Sequence, residues 1–127
     1  MDFNPALNRL YTVCDVEGIQ ADRVIVHAAN GDQLTAVAEV TVGTAGPDTP
    51  GGEDGRGGVV VNRLTGSVFV SNAHDDTVSI IDGATNTVIR TVAVGRSPYG
   101  LGVDASMKRI YAANRLGNSV TLLVDPR

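Results

Sequence analysis

Tryptophan is absent from the 127 residues, and aromatic side chains make up only 4% of the chain. Cysteine occurs once, at Cys14, so no disulfide can form within the chain and the redox compartment stays open. No apolar run approaches the roughly 20 residues that a membrane-spanning helix needs. The composition therefore predicts neither a disulfide framework nor a membrane span.

Acidic residues outnumber basic residues by 14 to 10, so the formal net charge is -4. Lysine occurs only at Lys108. Duplex nucleic acid and anionic membranes attract basic surfaces. Single-stranded nucleic acid needs a positive groove with aromatic platforms. The sequence therefore predicts no nucleic-acid partner.

Residues 1–5, Met-Asp-Phe-Asn-Pro, lack the basic and then apolar pattern of a signal peptide. A secreted, periplasmic or cell-surface location would need a leader upstream of these residues. The compartment is therefore left open.

What the sequence does contain is an internal repeat over residues 58–125. Four residues recur at a constant spacing of 42: Gly58, Val61, Asn72 and Val78 return as Gly100, Val103, Asn114 and Val120. A period of about 40 residues built from short runs of β-branched residues is typical of propeller blades. A more divergent copy precedes these two, with Tyr11 aligned to Phe69 and Tyr111.

The repeat predicts an all-β chain: an incomplete β-propeller of about three blades with little or no helix, forming one domain over 1–127. Blade 1 covers about 1–43 and is followed by an insertion at 44–58. Blade 2 covers about 59–95, and blade 3 covers about 96–127 and lacks its last strand. A second insertion, of six residues, lies between Cys14 and Val26.

Four segments carry a resemblance to a known family. They are Val-Phe-Val-Ser-Asn at 68–72, Thr-Val-Ser-Ile-Ile-Asp at 77–82, Ala-Thr-Asn-Thr-Val at 84–88 and Val-Gly-Arg-Ser-Pro-Tyr-Gly at 94–100. The chain resembles the YVTN-type β-propeller repeat family. The resemblance implies four-stranded antiparallel blades, with strands A to D, set around a channel. It implies little about function, because members range from cell-surface proteins to lyases and subunits of redox enzymes.

Antiparallel tracing of a blade places its B–C and D–A loops at one end, and both insertions fall in such loops. Loops on a rigid scaffold commonly carry function, so we predict that this end binds a ligand. The alternative is that the insertions are only tolerated surface loops. The candidate ligand-binding residues are Asp48, Glu53, Asp54, Arg56, His74, Asp75, Asp76, Arg96, Tyr99 and Arg115.

Two functions compete. The favoured one is a non-enzymatic binding or scaffolding propeller with an unknown protein or small-molecule ligand at the channel mouth, and without a cofactor. The alternative is a propeller enzyme, either a metal-assisted lyase or hydrolase or a subunit of a redox enzyme, whose remaining site residues lie in missing blades. The chain has no glycine-rich phosphate loop, Cys-x-x-Cys motif or Gly-x-Ser-x-Gly motif, so no catalytic residue is predicted.

A metal site is also not predicted, although the run from His74 to Asp76 offers imidazole and carboxylate ligands. Three adjacent residues in a turn cannot all reach one ion, and aspartate in a turn usually caps backbone amides. We interpret His27 as a partly exposed strand residue. The three aligned aromatic residues are expected to pack between blades; they are Tyr11, Phe69 and Tyr111.

Propellers close with about four to eight blades, whereas this sequence encodes at most three. An open arc leaves apolar blade faces and an unpaired strand edge, which promote association. Missing blades of a longer protein, the favoured explanation, or self-association would cover them. We therefore expect that these residues alone do not form a stable monomer.

Overall fold

The computed structural model describes residues 1–15, 22–43 and 58–127. Those ranges contain no helix, and hence none long and apolar enough to cross a membrane. The strands in chain order are β1 (Asp2–Asn4), β2 (Arg9–Asp15), β3 (Asp22–Asn30), β4 (Gln33–Thr41), β5 (Val59–Val61), β6 (Ser67–Asn72), β7 (Thr77–Asp82), β8 (Thr87–Ala93), β9 (Pro98–Asp104), β10 (Arg109–Asn114) and β11 (Ser119–Val124).

The strands form three antiparallel sheets. The first sheet has the order β1-β2-β3-β4, the second β5-β6-β7-β8, and the third β9-β10-β11. Within each sheet, strands that follow one another in sequence pair with each other, as in the meander of a propeller blade. The predicted all-β fold of partial propeller blades is therefore confirmed. In the described part of the chain, β11 pairs only with β10.

The turns between the first two strands of each sheet share one backbone feature. Asn8, Gly66 and Lys108 occupy equivalent positions, and all three have a positive φ, of 51°, 80° and 54°. The turns between β6 and β7 and between β10 and β11 repeat a second such feature, at Asp76 and Asn118. Residues in the left-handed conformation allow a tight reversal of the chain, and asparagine, aspartate and glycine adopt this conformation most readily.

The first hydrophobic core lies between the first and second sheets. From the first sheet it contains Tyr11, Val24, Val26 and Val40, and from the second Val59, Val61, Val68, Val70 and Ile81. The residues of β6 that enter this core alternate along the strand, as expected for one face of a sheet.

The second core lies between the second and third sheets and uses the opposite face of the second sheet. It contains Phe69, Val78 and Ile80 together with Ile110, Ala112 and Leu123. The second sheet is therefore covered on both faces. The predicted packing between blades is confirmed for Tyr11 and Phe69, which are fully buried, but Tyr111 is 39% exposed. It differs because it lies on the outer face of the third sheet.

Two glycines fix how closely neighbouring sheets approach. A Cβ added at Gly95 would lie 2.5 Å from Nδ2 of Asn114, whose amide donates to two hydroxyl groups of β11. Gly43 meets Asn72 in the same way, with an added Cβ only 2.6 Å from the asparagine side chain. The contact between the end of one sheet and the second strand of the next is thus repeated.

A polar network joins the end of the third sheet to the second. The carboxylate of Asp125 is buried; it accepts one hydrogen bond from the amide of Arg127 at 3.0 Å and three from side chains around the β5–β6 turn. The side-chain donors are Asn62 Nδ2 at 2.7 Å, Thr65 Oγ1 at 2.6 Å and Ser67 Oγ at 2.9 Å. Arg127 also donates to Asp82 in the second sheet. Because the buried carboxylate has several partners, its desolvation is offset by charge-assisted hydrogen bonds.

Candidate functional site

The β6–β7 turn, the β8–β9 loop and the β10–β11 turn are joined at one end of the sheets. The amide of Val94 donates to the carbonyl of Asp76 at 2.9 Å, and the amide of Arg115 donates to the carbonyl of Ser97 at 2.9 Å. We call this region, residues 73–76, 94–99 and 115–118, the loop surface. It brings together one D–A loop and two B–C loops, as antiparallel tracing of the blades requires.

Ser97 is the residue that holds the loop surface together. Its amide donates to Oδ1 of Asp76 at 2.8 Å while its carbonyl accepts from Arg115. It is buried and has a φ of 52°. Ser97 is not among the residues predicted from the sequence, although it lies between the candidates Arg96 and Tyr99. The Ser-Pro pair at 97–98, which is typical of a turn, was the sequence signal that could have indicated a structural role for Ser97.

The carboxylate of Asp76 therefore acts as a cap for a backbone amide, as predicted for an aspartate in a turn. Its neighbours His74 and Asp75 are exposed, and the amide of Asp75 donates to the carbonyl of Asn72 at 3.1 Å. Among the described residues, no three His, Cys, Asp or Glu side chains are grouped so that they could hold a metal ion.

The backbone of Tyr99 is anchored to the second sheet. Its carbonyl accepts hydrogen bonds from the amide of Gly58 at 3.1 Å and from Oγ of Ser71 at 2.7 Å. The side chain nevertheless remains 44% exposed. The guanidinium carbon of Arg115 lies 6.0 Å from the centroid of the Tyr99 ring, which is the range of a cation–π contact.

Arg96 is exposed on the same surface, and its backbone contacts the β10–β11 turn. A Cβ added at Gly117 would lie 3.2 Å from the amide nitrogen of Arg96. The loop surface thus presents basic, acidic and aromatic side chains on closely packed turns. The remaining candidates, Asp48, Glu53, Asp54 and Arg56, lie outside the described residues.

Two groups with shifted pKa values lie away from the loop surface. Burial raises the pKa of Tyr11, whose hydroxyl is buried and makes no hydrogen bond with any residue that the structure describes. A hydrogen bond from Ser106 and another from the amide of Met107 lower the pKa of Asp104 in the β9–β10 turn region. His27 is a partly exposed residue of β3 and faces away from the first core, consistent with its interpretation as a strand residue.

Comparison with known proteins supports the fold. The profile of the YNCE-like beta-propeller family matches residues 58–127, which is more than half of the chain. The matched segment holds the second and third sheets and every described residue of the loop surface. A search of curated proteins found no match. The 42-residue repeat, the antiparallel meanders and the family profile agree, and the chain belongs to the YNCE-like beta-propeller family.

Proposed function

We propose that this protein is a non-enzymatic binding or scaffolding propeller and that its protein or small-molecule ligand occupies the loop surface. One observation carries the proposal: hydrogen bonds through Asp76 and Ser97 join three separate connections into one surface. Functional loops are commonly positioned by a rigid scaffold. Turns that are already bonded to each other also lose little conformational freedom when they bind.

The exposed side chains suit a ligand that combines charge with an apolar or aromatic part. Arg96 can pair with an anionic group, and His74 can donate or accept a hydrogen bond. The partly exposed ring of Tyr99 offers a flat apolar area, and its backbone is fixed by Gly58 and Ser71. Aromatic residues of this kind commonly contribute a large share of binding energy.

Nuclear magnetic resonance of the labelled protein tests the proposal with a library of small carboxylates, phosphates and aromatic fragments. We expect amide shifts to concentrate at residues 73–76, 94–99 and 115–118. The Tyr99→Ala variant should weaken binding of those fragments by about tenfold or more, since hot-spot truncations cost roughly 2 kcal/mol.

Leu64→Ala is the matched control, because Leu64 is exposed in the β5–β6 turn at the opposite end of the sheets. It should leave fragment binding unchanged. Shifts that cluster around the β5–β6 and β9–β10 turns, and that Leu64→Ala removes, would contradict the proposal.

Elemental analysis of the purified protein addresses the alternative of a metal-assisted enzyme. We expect no stoichiometric transition metal, because the chain has only His27 and His74 as imidazole ligands. One zinc or copper ion per chain, lost in a His74→Ala variant, would instead support the enzyme.

A further inference from the structure

An asparagine or aspartate is followed by glycine where the third strand of each of the first two sheets ends. β3 ends at Asn30, which precedes Gly31, and β7 ends at Asp82, which precedes Gly83. Because glycine has no Cβ, its amide nitrogen can readily approach the side-chain carbonyl carbon of the preceding residue. Either pair could therefore close into a succinimide ring, but their surroundings differ.

Hydrogen bonds hold the pair of the second sheet in place. The amide of Gly83 donates to the carbonyl of Gly66 at 3.1 Å. The carboxylate of Asp82 accepts from the amide of Ala84 at 3.0 Å and from Arg127. Gly83 is also buried, and a Cβ added there would lie 2.3 Å from the carbonyl oxygen of Gly66. The nitrogen and the carboxyl group cannot meet unless these contacts break.

The pair of the first sheet is exposed to solvent. Within the part of the chain that the structure describes, neither the amide of Gly31 nor the side chain of Asn30 makes a hydrogen bond. A Cβ added at Gly31 would meet no atom within 4 Å. Gly31 has a φ of 62° and forms a two-residue turn with Asp32, since Asn30 pairs with Gln33. This turn leaves both reacting groups accessible.

The exposure of the β3–β4 turn does not depend on what packs on the face of the first sheet opposite the first core. Its counterpart is the β7–β8 turn of the second sheet, which is covered on both faces. There Ala84, Thr85 and Thr87 remain exposed. The tips of these hairpins thus lie outside the contacts between sheets.

We propose that Asn30 is a site of spontaneous deamidation and isomerisation in the folded protein. The amide nitrogen of Gly31 attacks Cγ of Asn30 and forms a C–N bond, while the side-chain amide leaves as ammonia with the proton of the attacking nitrogen. Water then opens the succinimide at either ring carbonyl: its hydroxyl joins that carbon and its hydrogen joins the ring nitrogen. The products are aspartate, with the ordinary backbone, and isoaspartate, in which the backbone runs through the former side chain.

The structural consequence falls on β4. Isoaspartate adds one carbon to the backbone beside a two-residue turn, and the length of the loop sets the register of a hairpin. In the described part of the chain β4 pairs only with β3, and its Val40 is buried in the first core. The modification therefore loosens the outer strand of the first sheet and adds a negative charge beside Asp32.

Peptide mapping by mass spectrometry tests the site after the purified protein has been incubated in mildly alkaline buffer. The peptide that contains Asn30 should gain the mass of an NH2-to-OH exchange, and an isoaspartyl methyltransferase should label it. Asn86 and Asn118 are internal controls, because both lie in turns but precede Thr87 and Ser119, which carry a Cβ. Both should stay unmodified while most of Asn30 is converted.

Two substitutions separate isomerisation from the change of charge. Asn30→Gln should block the reaction, because its longer side chain closes a ring far more slowly. Asn30→Asp supplies the charge without lengthening the backbone. Amides of β4 should exchange hydrogen faster in aged wild type than in fresh wild type. Fresh Asn30→Asp and aged Asn30→Gln should both match fresh wild type.

Four outcomes would overturn the proposal. An Asn30 that stays intact in the folded protein would show that the turn is protected. Conversion of Asn86 or Asn118 as fast as Asn30 would show that the open turn does not select the site. Stronger methyltransferase labelling at Asp82 would show that its hydrogen bonds do not protect the second pair. Unchanged exchange in aged wild type would show that β4 is not loosened.

Discussion

The second and third sheets are copies of one repeat, yet they bury their residues differently. All six residues of β6 are buried, whereas buried and exposed residues alternate along β10. Among the residues that the structure describes, the second sheet packs on both faces and the third on one. Burial at a given repeat position is therefore decided by the position of the sheet in the arc and not by the residue alone.

Truncating the aligned aromatic residues should give the largest effect. Phe69→Ala is expected to lower the free energy of unfolding by about 3–5 kcal/mol at any protein concentration, because it leaves a cavity in the second core. Tyr111→Ala should cost less than about 1 kcal/mol in dilute protein, because its side chain is already partly in water. Urea titrations at several protein concentrations measure both values. Equal losses for Phe69→Ala and Tyr111→Ala would contradict the difference in burial between the second and third sheets.

Adding a methyl group at glycine should give an intermediate effect. Gly95→Ala is expected to destabilise the chain by about 1–3 kcal/mol, because the new Cβ would overlap the side chain of Asn114. Gly100→Ala meets no close atom and should leave the stability of dilute protein unchanged or raise it by up to about 1 kcal/mol. Thermal unfolding of the two variants beside wild type makes the measurement; a larger loss for Gly100→Ala would contradict the open position in β9.

Alkaline pH should distinguish the buried Tyr11 of the first sheet from the partly exposed Tyr111 of the third. Burial raises the pKa of Tyr11 above its ordinary value of 10.0, so the unfolded chain loses this proton first as pH rises. Stability should therefore fall above about pH 10, by up to about 1.4 kcal/mol per pH unit, until the folded-state pKa is passed.

Tyr11→Phe should remove that part of the alkaline loss. At neutral pH it should change stability little, because the hydroxyl has no hydrogen-bond partner among the described residues. Tyr111→Phe is the matched control and should retain the alkaline loss. Urea midpoints between pH 8 and pH 11 provide the test, and identical pH profiles for Tyr11→Phe and wild type would refute the assignment.

The smallest effect on stability is expected in the turns that join the first two strands of each sheet. Lys108 has a φ of 54° where the second sheet has Gly66, and a left-handed conformation costs a residue with a Cβ roughly 1–2 kcal/mol. Lys108→Gly removes this cost, but the gain is partly offset because glycine loses more backbone entropy on folding. The free energy of unfolding should therefore rise by up to about 1 kcal/mol. Gly66→Lys should have the opposite sign, and a gain in both variants would contradict the explanation.

The sequence predicted those features that recur along the chain. Both ends of β6 and β7 lie 42 residues before the corresponding ends of β10 and β11, which is the period that the sequence shows. The capping role of Asp76 followed from the local preference of aspartate in turns. The gathering of Arg96, Tyr99 and Arg115 at one end followed from antiparallel tracing alone.

Features that depend on distant partners could not be predicted. The hydrogen bonds of Asp125 reach side chains about 60 residues away, and no local pattern identifies them. The exposure of Tyr111 depends on which sheets are present beside it, whereas the repeat indicates only that the position is suitable for burial. The bridging role of Ser97 depends on two turns meeting in space.

The left-handed turn residues Asn8, Gly66 and Lys108 have one more consequence. Three different residue types keep the same left-handed conformation, so the repeated units share a backbone path where their side chains differ. The family profile begins at residue 58 and omits the first sheet, although that sheet makes the same meander. Blades of this kind are thus more readily recognised by the course of their main chain than by sequence identity.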